Sequence, residues 1–310
     1  MILVLPIVLV LVLVLVLDPF SEAQPARKEN NRSHEYEKKA QEQSQAANQW
    51  LLVRSGPGDP AFNMALDEAL LEAVAGLGKP VLRFYSWSQL AASFGYFQKY
   101  SEVERMTLLR PLVRRPTAGG LVPHDADWTY SLVFPPHHPW YSLIAVQSYH
   151  RVHLWIQAAF AILNIRTELA PCGRKAQPGQ CFAGYETSDL LWQGQKIAGA
   201  AQRRNRAGLL IEGSVQPPPI AIERSQWEQA MCEVRSNECR VSSVMSDVSA
   251  PPSHPSPRPS PLPKRRGGIG ASACAILGSW EEFALDGHLM ERTLQLAAQK
   301  YSQPGFNQKR

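Results

Sequence analysis

From Trp50 onward the apolar positions fall into short runs and periodic stretches separated by turn residues. Trp50-Leu51-Leu52-Val53 reads as a strand closed by the Gly56-Pro57-Gly58-Asp59 turn. Asp59 then stands as an N-cap with Pro60 at the first helical position. Phe62, Met64, Ala65, Leu66, Ala69, Leu70 and Ala73 give that helix a broad apolar face. Residues 81–85 and 91–95 read as strands around a turn at 86–88, with further strands at 112–115 and 129–133. Val146, Tyr149, Val152, Ile156 and Phe160 recur at near-helical spacing and predict a helix over residues 145–163. A meander follows: strands at 189–192, 195–202 and 209–215, joined by a Gln193-Gly194 turn and a polar turn at 205–208. Helical patterning covers residues 222–234 and returns at 280–301, where Phe283, Leu285, Leu289, Leu294 and Ala297 form a docking face. Strands and helices alternate without a βαβ rhythm, so the expected class is α+β, with a mixed or mostly antiparallel sheet flanked by helices.

The same patterning divides the chain. Residues 48–245 form the ordered domain. Residues 246–272, rich in Pro, Ser and basic side chains, cannot bury enough apolar surface to order themselves and read as a disordered insertion. Residues 273–310 are a C-terminal helical segment. Residues 18–47 are polar and patternless, a linker, and residues 1–17 are an uncharged Leu/Val run barely long enough to span a bilayer. With no Lys or Arg ahead of it, that run lacks the basic start of a secretory signal. It reads either as an anchor or signal, or as a low-complexity extension, and carries no chemistry in either case.

At 310 residues and 45% hydrophobic content the chain has ample material for a core. Its net charge of +5 is spread rather than clustered, so no nucleic-acid partner is expected. Five cysteines without a C-x-x-C pair argue against a disulfide framework or zinc knuckle and for a reducing, cytoplasmic setting, with membrane anchoring the alternative if residues 1–17 insert.

Two segments carry candidate chemistry. In the first, Arg114-Arg115-Pro116-Thr117-Ala118-Gly119-Gly120 runs on to His124-Asp125. Glycines let the backbone approach a ligand closely, and guanidinium groups suit a carbonyl, carboxylate or phosphate, one of the two arginines being structural. In the second, Cys181-Phe182 precedes Gly194-Gln195-Lys196-Ile197-Ala198-Gly199-Ala200-Ala201-Gln202. A thiol exchanges readily with a thioester, and a nearby ammonium favours the thiolate and can shuttle protons. The small residues after Lys196 leave room for an alkyl chain. On spacing alone the ordinary reading prevails, in which Cys181 is a small buried hydrophobe and Lys196 a solvated strand end.

Residues 50–215 nevertheless resemble the lipoate-protein ligase and octanoyltransferase family. The resemblance is carried by the run from Gly58 to Leu70 (GDPAFNMALDEAL), Leu82-Arg83-Phe84-Tyr85-Ser86-Trp87, Ser93-Phe94-Gly95-Tyr96-Phe97-Gln98, the Arg114 to Asp125 segment, Thr129-Tyr130-Ser131, the Lys196 to Gln202 run and Gly213-Ser214. Cys181-Phe182 ahead of Gly194-Gln195-Lys196 is similar to the cysteine-dependent octanoyltransferase branch. The resemblance implies the biotin/lipoate ligase fold, related to the catalytic domains of class II aminoacyl-tRNA synthetases. It implies an octanoyl thioester on Cys181, with Lys196 as acid/base. Substrate contacts would come from Arg114, Arg115, Thr117, Gly119, Gly120, His124, Gly199 and Ala200, with His124 serving structure rather than as a base.

The implied donor is octanoyl-acyl carrier protein, and the implied acceptor a lysine of a lipoyl domain or of the glycine-cleavage H protein. No cofactor is expected. The alternatives are an ATP-dependent lipoate ligase, using ATP and Mg, and a non-catalytic module that binds acyl or lipoyl partners. Ala118, where the family has the first glycine of its run, and Pro123, which removes a strand donor, depart from the family pattern.

Overall fold

The computed structural model describes residues 49–174, 179–234 and 279–309. The readings made for residues 1–17, 18–47 and 246–272 lie outside them. Among the described residues no helix is long and apolar enough to cross a membrane.

Strand β1 (Trp50–Gly58) runs past its expected end through an irregularity between Arg54 and Gly56, where Gly56 takes φ +64°. Helix α1 (Pro60–Leu77) follows, with the Asp59 carboxylate accepting from the Ala61 amide as its N-cap. Gly78, left-handed at φ +67°, ends it by returning its N–H to the Val74 carbonyl. Next come β2 (Val81–Trp87), β3 (Ala91–Phe94), the short α2 (Tyr100–Val103), β4 (Leu112–Arg114), β5 (Val122–His124) and β6 (Trp128–Phe134). Helix α3 (Ala145–Ile162) leads to β7 (Glu168–Leu169), β8 (Leu190–Trp192), β9 (Gln195–Arg204) and β10 (Leu209–Val215), then α4 (Arg224–Glu233). Gln193 and Gly194 both have positive φ (50° and 76°), the geometry that turns β8 into β9 within two residues.

An eight-stranded mixed sheet has the order β11-β1-β2-β6-β10-β9-β8-β7, parallel only among β11 (Trp280–Glu282), β1 and β2. A separate three-stranded sheet, β4-β3-β5, carries the arginine pair at one end. Alternation along the large sheet sorts the core into two layers. Leu52, Phe84, Leu132 and Phe134 pack with Trp155, Ile156 and Phe160 of α3 and Trp227 of α4. Leu51, Val53, Val81, Val133 and Leu210 pack on the opposite face against α1. Each fully buried apolar side chain of this size contributes about 1.5–3 kcal/mol. The α1 layer also contains a fully buried ion pair, Arg83 to Asp67 at 2.7 Å, satisfied further by Asn63, Ser55, Tyr85 and Ser131.

The C-terminal segment departs from the helix expected over residues 280–301. Trp280 begins a three-residue strand instead, because the outer edge of β1 offers a ladder and Trp280 packs its ring 5.5 Å from Trp50. Helix α5 (Gly287–Leu296) starts only at its Asp286 cap and ends in a π turn over Ala297–Tyr301. Leu289, Leu296 and Tyr301 bury against α1, whereas Leu294 faces outward.

Candidate active site

Cys181 is held by the glycine segment rather than by a regular element. Its loop, between β7 and β8, forms a parallel bridge from Gln180 to Leu121; Leu121 donates to the Gly179 carbonyl (2.7 Å) and Cys181 donates to the Leu121 carbonyl (3.1 Å). The Gly120 N–H in turn points at Cys181 Sγ, 3.2 Å away. A Cβ on Gly120 would stand 2.7 Å from the Gly179 carbonyl oxygen, so the two backbones approach this closely only without a side chain.

Lys196 is second on β9, just past the tight turn, and its side chain is nearly buried. Its ammonium pairs with Asp189 Oδ2 at 2.7 Å and lies 5.2 Å from the centre of the Phe182 ring. Asp189, fully buried, also accepts from the Tyr149 hydroxyl and from the Glu186 amide (2.6 Å). Burial, followed by the Asp189 charge, raises the Tyr149 phenol well above its ordinary range, so it stays a donor. On the same helix, burial lowers His153 to about 4, keeping its imidazole neutral.

Cys181, Phe182, Lys196, Gly199 and Ala200 line one narrow chamber between the sheet and the β4-β3-β5 unit, closed by Met64, Tyr85 and Trp87. Cys181, Lys196 and Ala200 also line a wider, open cleft of about 750 Å³ with Gly119, Gly120 and Tyr149. The thiol and the amine therefore line both a narrow space and a wider one.

The other expected residues divide in three ways. Arg115 reaches the chamber and braces its loop, donating to Ser93 Oγ (2.8 Å) and to the carbonyls of Ala118 (3.0 Å) and Gly120 (2.8 Å). His124 lines the chamber but is tied on both ring nitrogens, to Ser93 Oγ at 2.7 Å and Asp127 at 2.9 Å, and is stacked on Trp87. Thr117 donates to Glu212 behind the wall. Arg114 is not brought to the chamber: its guanidinium donates to the carbonyls of Tyr96, Gln98, Phe306 and Asn307, securing the short helix α6 (Pro304–Asn307). Adjacent strand residues face opposite ways, so only one of the two arginines can point inward.

Sequence reasoning missed Asp189, Tyr149 and Glu212. Glu212 lines the chamber while buried; desolvation and then the Asp67 charge raise its carboxyl to about 8. None carries a local signal: an acid at a strand start reads as a turn residue, Tyr149 as part of the apolar face of a helix, and Glu212 as one polar position within a strand.

Comparison with known proteins bears on the fold and the family. The solved structure of lipoate-protein ligase A bound with ATP superposes with a TM-score of 0.58 at 16% identity, covering 84% of this chain and 98% of that one. The bipartite lipoate protein ligase of Thermoplasma acidophilum gives 0.55 at 17%, covering 84% and 95%. At such identities the likeness shows the fold, the one expected from the sequence. Among curated proteins, Octanoyltransferase LipM of Carboxydothermus hydrogenoformans is 38% identical over 175 residues, 54% of this chain and 64% of the relative. Its namesakes from Halalkalibacterium halodurans and Bacillus subtilis are both 34% identical, over 180 and 182 residues, 54% of this chain and 65% and 64% of theirs. The matched region thus spans somewhat under two thirds of each relative's length. The model of the lipoyl protein ligase A/B catalytic domain matches residues 59–217, half of the chain, from the cap of α1 to just past β10. The chain belongs to the lipoyl protein ligase A/B catalytic domain family.

Proposed function

We propose that this chain transfers an octanoyl group from an acyl thioester to a lysine of a lipoyl domain or of the glycine-cleavage H protein, in two steps through Cys181. The observation that carries the reading is that Cys181 and Lys196 line one chamber. The octanoyltransferase name of the bacterial relatives supports it.

In the first step Cys181 Sγ bonds to the acyl carbon as the donor's C–S bond breaks. The thiol proton passes by way of Lys196 to the departing thiolate of an octanoyl-acyl carrier protein. One thioester replaces another, so the step is nearly level in energy. In the second step the acceptor amine bonds to the same carbon, the bond to Sγ breaks, and a proton released from the nitrogen returns to sulfur. The Gly120 N–H, 3.2 Å from Sγ, is near enough to donate to charge developing there. ATP has no part in either step.

The test is to incubate the protein with octanoyl-carrier protein and an apo acceptor without ATP. An octanoyl mass is expected on the acceptor, and on Cys181 when the acceptor is withheld; Cys181→Ser should abolish both. Activity that needs ATP and free acid, and survives the serine change, would assign a ligase instead. Absence of any adduct or transfer would leave a binding module.

A further inference from the structure

Resting on that reading, we infer that Asp189 is a positioning residue for acyl transfer, a single carboxylate that fixes the Lys196 ammonium and the Cys181-bearing loop together. Its side chain is fully buried, and each of its oxygens is used. Oδ2 takes the Lys196 ammonium at 2.7 Å and the Glu186 amide at 2.6 Å, while Oδ1 takes the Tyr149 hydroxyl. Those donors come from three separate pieces of chain: β9, the loop that begins at Cys181, and helix α3.

The backbone makes Asp189 the pivot. Ser188 adopts φ +72°, an uncommon conformation for a residue with a side chain, and the Asp189 N–H returns to the Glu186 carbonyl at 3.1 Å. This turn closes residues 186–189 and sends the carboxylate inward, beneath the loop. The Asp189 carbonyl meanwhile accepts from Ala170 on the strand side, at 2.8 Å. A shift of the loop that moved Cys181 would therefore strain the Glu186 amide contact, and through the shared oxygen the Lys196 ammonium. Thiol and amine keep one spacing because both are referred to one buried charge.

The titratable groups facing Asp189 are Lys196 on β9, Tyr149 and His153 on α3, and Tyr130 on β6. Lys196 pairs with Asp189 and lines both the chamber and the cleft with Cys181, whereas Tyr149 lines the cleft alone. Loss of the carboxylate should therefore be felt at the thiol chiefly through that lysine.

The experiment follows the pH profile of Cys181 alkylation by iodoacetamide, and single-turnover formation of the octanoyl adduct, in wild type, Lys196→Met, Asp189→Asn and Tyr149→Phe. Asp189→Asn is expected to slow adduct formation by about tenfold or more. Its alkylation profile should move from the wild-type profile in the same direction as that of Lys196→Met. Should Asp189→Asn fail to fold, Tyr149→Phe decides, since it removes one donor from the same carboxylate and should give a smaller displacement of the same sign. A variant that folds and forms adduct at the wild-type rate overturns the inference. So does one that loses activity while its alkylation profile stays wild-type, the outcome of a purely structural role. Cys181→Ser that still transfers octanoyl would instead sink the underlying reading, whatever Asp189 does.

Discussion

The side chain of Lys196 lies across Gly199, so that a Cβ built on the glycine would stand 2.7 Å from both Cε and Nζ of the lysine. The missing methyl group is a groove for the amine, three residues along the same strand. Gly199 therefore acts on the site through the placement of Lys196.

Gly199→Ala accordingly tests the placement of the amine with a minimal change. The lysine must swing away from the chamber, and a displacement of about 1 Å in a reacting group can cost up to about a hundredfold in rate. Octanoyl transfer is expected to fall by about tenfold or more. The thermal midpoint should fall as well, because the displaced ammonium leaves the buried Asp189 carboxylate short of its partner. An unchanged single-turnover rate would show that the amine need not lie in this groove.

The neighbouring arginines should separate in opposite ways. Arg114→Ala strips several charge-assisted hydrogen bonds from α6 and from the segment at Tyr96 and Gln98, each worth about 1.5–3 kcal/mol, and should lower the thermal midpoint by about 5 °C or more. The KM for the acyl donor should stay unchanged. Arg115→Ala releases the carbonyls of Ala118 and Gly120 and with them the amide against the sulfur. Cys181 acylation should slow with that variant, as read by intact mass against time.

Glu212 links stability to pH. Its carboxyl titrates near 4.5 when unfolded and at about 8 in the fold. Between those values the folded chain keeps a proton that the unfolded chain has released, so this contribution is fully present below about 4.5 and is lost as pH rises through about 8. Glu212→Gln removes the dependence. In urea titrations at pH 5 and pH 8.5, the stability of the variant relative to wild type should improve at the higher pH by more than about 1 kcal/mol. A constant difference would mean that the acid is not held protonated.

Much of this fold can be read along the chain because its decisive signals are local. Asp59 with Pro60, Gln193 with Gly194, and the polar turn at 205–208 each act within a few residues, and the structure follows them. Trp280 was misread because a three-residue strand has too short a pattern to declare itself; its state is set by β1, more than two hundred residues earlier. The pairing of Asp189 with Tyr149 is illegible for the same reason, Tyr149 standing forty residues before the carboxylate. Arg114 and Arg115 could be told apart only once a partner for each side of β4 existed, since alternation says that they diverge and not which one faces inward.

The parallel pairing of Trp280 with Trp50 bears on how the chain can be dissected. A recombinant fragment trimmed to residues 59–217 would retain both Cys181 and Lys196 but would omit β1, β11 and α5. The exposed flank of β2 would then invite other copies to add strands there, and the apolar side of α1 would lose its cover. Such a fragment should clump rather than work, and supplying residues 279–309 as a separate peptide would cover α1 while leaving β2 without its neighbour.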